Sequence, residues 1–231
     1  MGIAENVARV RANIERAARE AGRDPKEILL VGASKMNDAA ACRAAIAAGV
    51  DALGENRVQE MTQKLAEHAY DGAPLHFIGH LQRNKAKLVV GSVALIESVG
   101  SLELLERIDA LAEKAGVAQD VLLEVNVGGE AAKSGFAPEA LPEAAERARS
   151  LPHVRARGLM CIPPVAEGAH GSLPYFEKVR RLFVDINEKI YHNEFDMLSM
   201  GMSGDYEDAV RAGATVVRVG TAIFGARNYT E

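Results

Sequence analysis

The chain has 231 residues, 48% of them apolar and 26% charged, with a net charge of −5. That composition is ordinary for a folded globular protein, and a chain this long builds one large core without staples. The acidic balance excludes a dedicated nucleic-acid binder, which carries a basic surplus. Arg155–Ala156–Arg157 and Arg180–Arg181 are short and read as solvated ends of elements rather than a phosphate-tracking stripe. Cys42 and Cys161 have no metal-like spacing and read as free thiols of a reducing compartment. The first residues, Met1–Gly2–Ile3–Ala4–Glu5–Asn6, lack an apolar signal core, and no apolar run reaches the ~18–20 residues of a spanning helix. A cytoplasmic protein without membrane or nucleic-acid partners is expected. No Pro/Gly/Ser-rich linker divides the chain, so residues 1–231 read as one domain.

The first segment places Ile3, Val7, Val10 and Ile14 at helical spacing, stopped by Gly22 and the turn at Asp24–Pro25. A regular alternation follows. Strands are predicted at Ile28–Ser34, Ala52–Gly54, Leu75–Gly79, Ala94–Val99, Val121–Val127, Ala156–Ile162, Met197–Met200 and Thr215–Val219. Between them the spacing predicts helices over Asp38–Ala48, Arg57–His68, Asn84–Val90, Ser101–Lys114, Pro138–Ser150, Leu173–Tyr191 and Gly204–Ala212. Strand runs apolar on both faces and separated by helices imply a parallel sheet covered on both sides. Eight such units in this length match a (β/α)8 barrel, an α/β TIM barrel preceded by one extra N-terminal helix. The competing architecture is an open doubly wound sheet. It expects a glycine fingerprint after an early strand, and the first strand here ends in Ser34–Lys35 instead.

Polar residues recur where the strands end, which in a barrel is the face that carries the active site. They are Lys35; Glu55 and Asn56; His80 and Gln82; Glu97 and Ser98; Glu124 and Asn126; Ser199 and Ser203; and Arg218, Gly220 and Thr221. Two readings of Lys35 stay open. One is an amine whose desolvation raises the nucleophilic free-base fraction; the other is a lysine snorkelling to solvent at the rim. Gly220 and Thr221 offer bare amides to an anion, and Ser203 reads both as a helix N-cap and as an anion contact. Hydrogen bonds to a charged group give roughly 1.5–3 kcal/mol each, against ~0.3–1 for an exposed helix dipole. Amides and hydroxyls should therefore dominate a phosphate site. His76 and His80, four apart on a predicted strand, are the one candidate metal pair, but no third ligand stands at suitable spacing and no metal is expected. Cys161 has no assignable base and reads as a core cysteine.

The residues also resemble a known family, the YggS/PROSC pyridoxal phosphate homeostasis proteins, which share the barrel of bacterial alanine racemases. The resemblance is carried by Gly32–Ala33–Ser34–Lys35, by Leu53 to Glu60, by His76 to Lys85 and by Lys133–Ser134–Gly135. It continues through Gly158–Leu159–Met160, Leu198 to Ser203 and Arg218 to Gly225. It implies that pyridoxal 5′-phosphate is held as a Schiff base on Lys35, with Arg218 facing the pyridine nitrogen. It further implies that Ser199, Ser203, Gly220 and Thr221 bind the phosphate and that Asn56 and His80 lie near the ring. The chain departs from the family pattern at Gly32, Gly100 and Gly204, where the family usually has Ala, Asp and often an acidic residue.

A guanidinium stays protonated and only donates, so an arginine facing the ring nitrogen cannot protonate it. The ring is then a weak electron sink, which disfavours transaminase-like and decarboxylase-like chemistry. Racemases resembling this barrel take a second base from an additional C-terminal β-domain, and with the chain ending at Glu231 that domain is expected to be absent. The favoured reading is a monomeric, non-catalytic carrier of the cofactor in vitamin B6 and amino-acid homeostasis, with cofactor-dependent apoenzymes as candidate partners. The alternatives are a weak amino-acid racemase or a barrel that binds other proteins.

Overall fold

Each strand supplies side chains to two environments, and closing the sheet on itself makes one of them the barrel interior. The computed structural model describes residues 2–130, 133–165, 167–168 and 170–225. Its strands are β1 (Leu29–Ala33), β2 (Ala52–Glu55), β3 (Leu75–Phe77), β4 (Leu95–Val99), β5 (Gln119–Val125), β6 (Val154–Cys161), β7 (Met197–Ser199) and β8 (Val216–Val219). All pair in parallel with their chain neighbours, and β8 returns to β1 to close the barrel. The open-sheet alternative is thereby removed.

The helices are α1 (Ile3–Glu20), α2 (Ala39–Ala47), α3 (Val58–Ala66), α4 (Leu102–Ala115), α5 (Leu141–Ser150), α6 (Leu173–Lys189), α7 (Tyr206–Arg211) and α8 (Thr221–Phe224). Their starts and stops have local causes. Asp38 caps α2 by accepting from the Ala41 amide at 2.8 Å, and Ser101 caps α4 through the Leu104 amide at 3.2 Å. Gly116 ends α4 in the left-handed conformation. The expected helix over Asn84–Val90 is instead a single 3-10 turn, Ala86–Leu88, because no side chain caps it and Gly91 follows closely. So short a segment does not repay the cost of nucleating a helix.

Helix α1 buries Val7, Val10, Ile14, Ala17 and Ala18 against α2, α7 and α8. Asn6 ties it to the chain's far end by donating to the Ile223 carbonyl at 2.9 Å. A helix from outside the repeat thus covers the seam between β8 and β1. Near the opposite side, the β5–β6 register shifts beside Arg157 and Gly158. At Gly158, a side-chain carbon would sit 1.7 Å from the Met197 carbonyl oxygen, so only glycine lets β7 approach this bulge.

The barrel interior is layered. Val31, Ala52 and Val216 pack with Leu29 and Met197, while Leu95, Leu122 and Met160 pack on the other side of Met197. Two residues further along β4, β5, β7 and β8, on the same faces, stand Glu97, Glu124, Ser199 and Arg218. A polar layer therefore caps an apolar one at the C-terminal mouth. Among the described residues, no helix is long and apolar enough to cross a membrane.

Candidate functional site

The polar layer is tightly joined. Nδ1 of His76 lies 2.7 Å from Glu97 Oε1, and the Ser199 hydroxyl donates to Glu97 Oε2 at 2.6 Å. Arg218, 3% exposed, donates to the Ser199 hydroxyl and, at 2.9 Å, to the Cys161 carbonyl. Its guanidinium also stands 3.7 Å from Glu97 Oε2. Burial by itself would raise the Glu97 pKa, but the His76 contact, the Arg218 charge and the Ser199 hydroxyl outweigh it and hold the carboxyl below its ordinary range. Glu124 goes the other way. Burial pushes it up, against the weaker opposing effects of Ser134, Arg218 and His80, and its Oε2 is buried without a partner.

Above this layer, adjacent strands bring two loops together. β1 and β8 are hydrogen-bonded neighbours, with Gly32 opposite Val219. A side-chain carbon on Gly220 would meet the Ala33 carbonyl at 3.4 Å, so the loop after β8 lies against the end of β1, two residues before Lys35. Lys35 itself is half-buried in the turn that follows β1. At the other loop, the amides of Gly220 and Ala222 both donate to the Ser203 hydroxyl at 3.2 Å. The two bonds fasten the Ser203 loop to the start of α8 and leave the hydroxyl hydrogen of Ser203 free to donate. Ser203 does not cap α7, which begins only at Tyr206. Its hydroxyl serves the β8 loop instead.

The expected site residues thus fall into groups. Lys35, Ser203, Gly220 and the exposed Thr221 share the β1 and β8 end of the mouth. Ser199 and Arg218 are buried in the barrel interior, where the Ser199 hydroxyl is engaged by both Glu97 and Arg218. Asn56 follows β2, and its Oδ1 is buried without a partner. A side-chain carbon on Gly79 would lie 2.2 Å from the Asn56 carbonyl oxygen, so a bare backbone after β3 is what lets Asn56 sit there. His80 is exposed further round the mouth, beside Lys133 and Ser134.

His76 and His80 do not share a strand face, because β3 ends at Phe77 and His76 is committed to Glu97. Burial raises the Cys161 thiol to about 12, as suits a core cysteine. Glu55, which ends β2, turns away from the mouth toward Lys64 and Tyr70. Sequence reasoning passed over Lys64, Glu60 and Tyr70. The available signal was Lys64 itself, three residues after Met61 on the buried face of α3.

Taken together, the fold and site define a (β/α)8 barrel with a lysine turn after β1 beside a serine-pinned loop after β8 at the mouth. The chain matches the alanine racemase N-terminal domain family over residues 6–228. It is 46% identical to a pyridoxal phosphate homeostasis protein of Pseudomonas aeruginosa, over 98% of this chain and 96% of that one. It is 42% identical to the protein of that name from Aquifex aeolicus, over 99% and 100% of the two chains. The structure of PipY from Synechococcus elongatus with pyridoxal phosphate bound superimposes with a TM-score of 0.84 at 35% identity, covering 96% of this chain and all of that one. An alanine racemase of Clostridium difficile shares the fold at 17% identity and a TM-score of 0.75, with 98% of this chain matching 61% of that chain. The chain belongs to the pyridoxal phosphate homeostasis protein family.

Proposed function

We propose that this protein binds pyridoxal 5′-phosphate as a Schiff base on Lys35 and acts as a non-catalytic carrier that delivers it to cofactor-dependent apoenzymes. The observation that carries the reading is the adjacency of the Lys35 turn to the Gly220 and Ala222 amides converging on Ser203. That adjacency supports one small molecule carrying both an aldehyde and a phosphate as the ligand. Ser203, Gly220 and Thr221 would hold the phosphate, Asn56 Oδ1 is an unsatisfied polar atom available to a ring substituent, and Arg218 would face the ring nitrogen. When bound, the cofactor would supply an aldehyde within reach of the Lys35 amine, the nucleophile this chain would contribute.

The protein's own groups limit further chemistry. Arg218 is engaged by Ser199 and Glu97 and has no proton to give a ring nitrogen. Family membership supports pyridoxal phosphate as the ligand, since PipY holds it in the matching fold.

Borohydride reduction followed by peptide mapping tests the reading. The reduced adduct is expected on Lys35, and Lys35→Ala should abolish the band near ~420 nm while leaving the fold intact. An adduct on Lys85 or Lys133 would overturn the assignment. Amino-acid racemisation far above the rate of free cofactor, lost in Lys35→Ala, would replace the carrier with an enzyme.

A further inference from the structure

Helix α3 turns one charged side chain inward. Lys64 is 4% exposed and lies on the same face as Val58 and Met61. Its ammonium has three hydrogens, and all three are used. They go to the Ser34 carbonyl at 2.8 Å, to Glu55 Oε1 at 2.8 Å and to Glu60 Oε1 at 2.7 Å. Burying an ammonium is costly unless it is fully paired, as it is here. Burial would lower the Lys64 pKa, yet the bonds to Glu55 and Glu60 outweigh it and keep the cation.

The partners of Lys64 lead to the two residues that flank Lys35. On one side, the Ser34 hydroxyl donates to Glu55 Oε1 at 2.6 Å and its amide to the Gly54 carbonyl at 3.0 Å. On the other side, the Met36 amide donates to Glu60 Oε1. Tyr70 donates a third bond to the same Glu55 oxygen at 3.1 Å, while Glu55 Oε2 is buried without a partner. Met36 has φ +63°, a left-handed conformation that a non-glycine residue keeps only when its surroundings impose it. A helix packed on a barrel needs no such cluster, since a leucine at position 64 would fill the space. What the cluster specifies is the turn.

We propose that Lys64 is a positioning residue which, through Glu55 and Glu60, clamps the Ser34–Met36 turn and so presents the Lys35 amine to an aldehyde in one orientation. This rests on the reading of Lys35 as the Schiff-base lysine.

The test uses the full chain as wild type, Lys64→Met and Glu60→Ala. The second variant removes the acceptor of the Met36 amide at a partly exposed position, so it keeps the question answerable if Lys64→Met does not fold. In the cofactor-free protein, hydrogen exchange at the Met36 amide should rise by about tenfold or more in both variants. On addition of pyridoxal phosphate, growth of the ~420 nm band should slow by roughly 10–100-fold in Lys64→Met and by less in Glu60→Ala, with a weakened visible circular dichroism of the bound chromophore. Unchanged exchange, rate and visible dichroism in a folded variant would overturn the proposal. Mapping of the borohydride-reduced wild type separates the two failures. An adduct elsewhere than Lys35 sinks the parent reading, whereas an adduct on Lys35 with an unaltered turn sinks this one alone.

Discussion

The two ends of the site are built from different materials. The amine end, at β1, β2 and α3, is held by charged side chains outside the barrel, with Lys64, Glu55 and Glu60 gripping the turn around Lys35. The anion end, between β7, β8 and α8, uses backbone amides and one serine hydroxyl. The difference suits what the proposed binding asks of each end. An amine that must approach a carbon along one direction needs its backbone turn fixed, and buried ion pairs give directional restraint. A phosphate needs many donors, and amides supply them without desolvating a side-chain charge. Between the ends lies the polar layer of His76, Glu97, Ser199 and Arg218, a floor common to both.

Breaking the floor should have the largest effect. Arg218→Leu leaves the Glu97 carboxylate buried without its cation, and a loss of about 3–5 kcal/mol is expected. Urea denaturation measures it, and a loss well under ~1 kcal/mol would mean that Arg218 and Glu97 do not depend on each other. Ser203→Ala is smaller and sharpens the contrast between the ends. It removes a hydroxyl that can donate to the phosphate and that pins the β8 loop, so pyridoxal phosphate should bind about tenfold more weakly, while band growth at saturating cofactor stays unchanged. Titration by absorbance separates the two quantities, and an altered rate at saturation would show that the ends are not independent.

The smallest effect concerns pH. Because the Glu97 carboxyl sits below its ordinary range in the folded protein, the stability it contributes is present above its unfolded value of about 4.3. That stability is lost as the pH falls below this value and through the depressed folded one. Glu97→Gln should therefore flatten the acid limb of the stability curve below about pH 4.3. Urea midpoints at successive pH values check it, and an unchanged slope would place the acid sensitivity elsewhere.

Much of the architecture was legible before any coordinates. The alternation of apolar runs with amphipathic segments predicts the barrel and its extra first helix, and polar strand ends mark the mouth. The 3-10 turn at Ala86–Leu88 was missed because periodicity alone does not register an absent cap. Within the site, the pairing of Ser203 with the β8 loop was accessible from residue type and position. The engagement of Ser199 by Glu97 and Arg218 was not, since which buried partners a strand-end serine meets depends on strands far away in sequence.

Glu55 and Glu97 make the division plain. Each follows an apolar run within its strand, Glu55 as the last residue of β2 and Glu97 in the middle of β4. Glu97 faces into the barrel and meets Ser199, 102 positions later, whereas Glu55 faces outward and meets Lys64 on α3. By itself the sequence determined the two-residue period of each strand, the helical stripes and the chemical types available at the mouth. The tertiary structure alone decided which parity faced inward, because closing eight strands around one axis sets the register of every strand against its neighbours. That same closure brought the end of β1 beside the end of β8, residues nearly the whole chain apart.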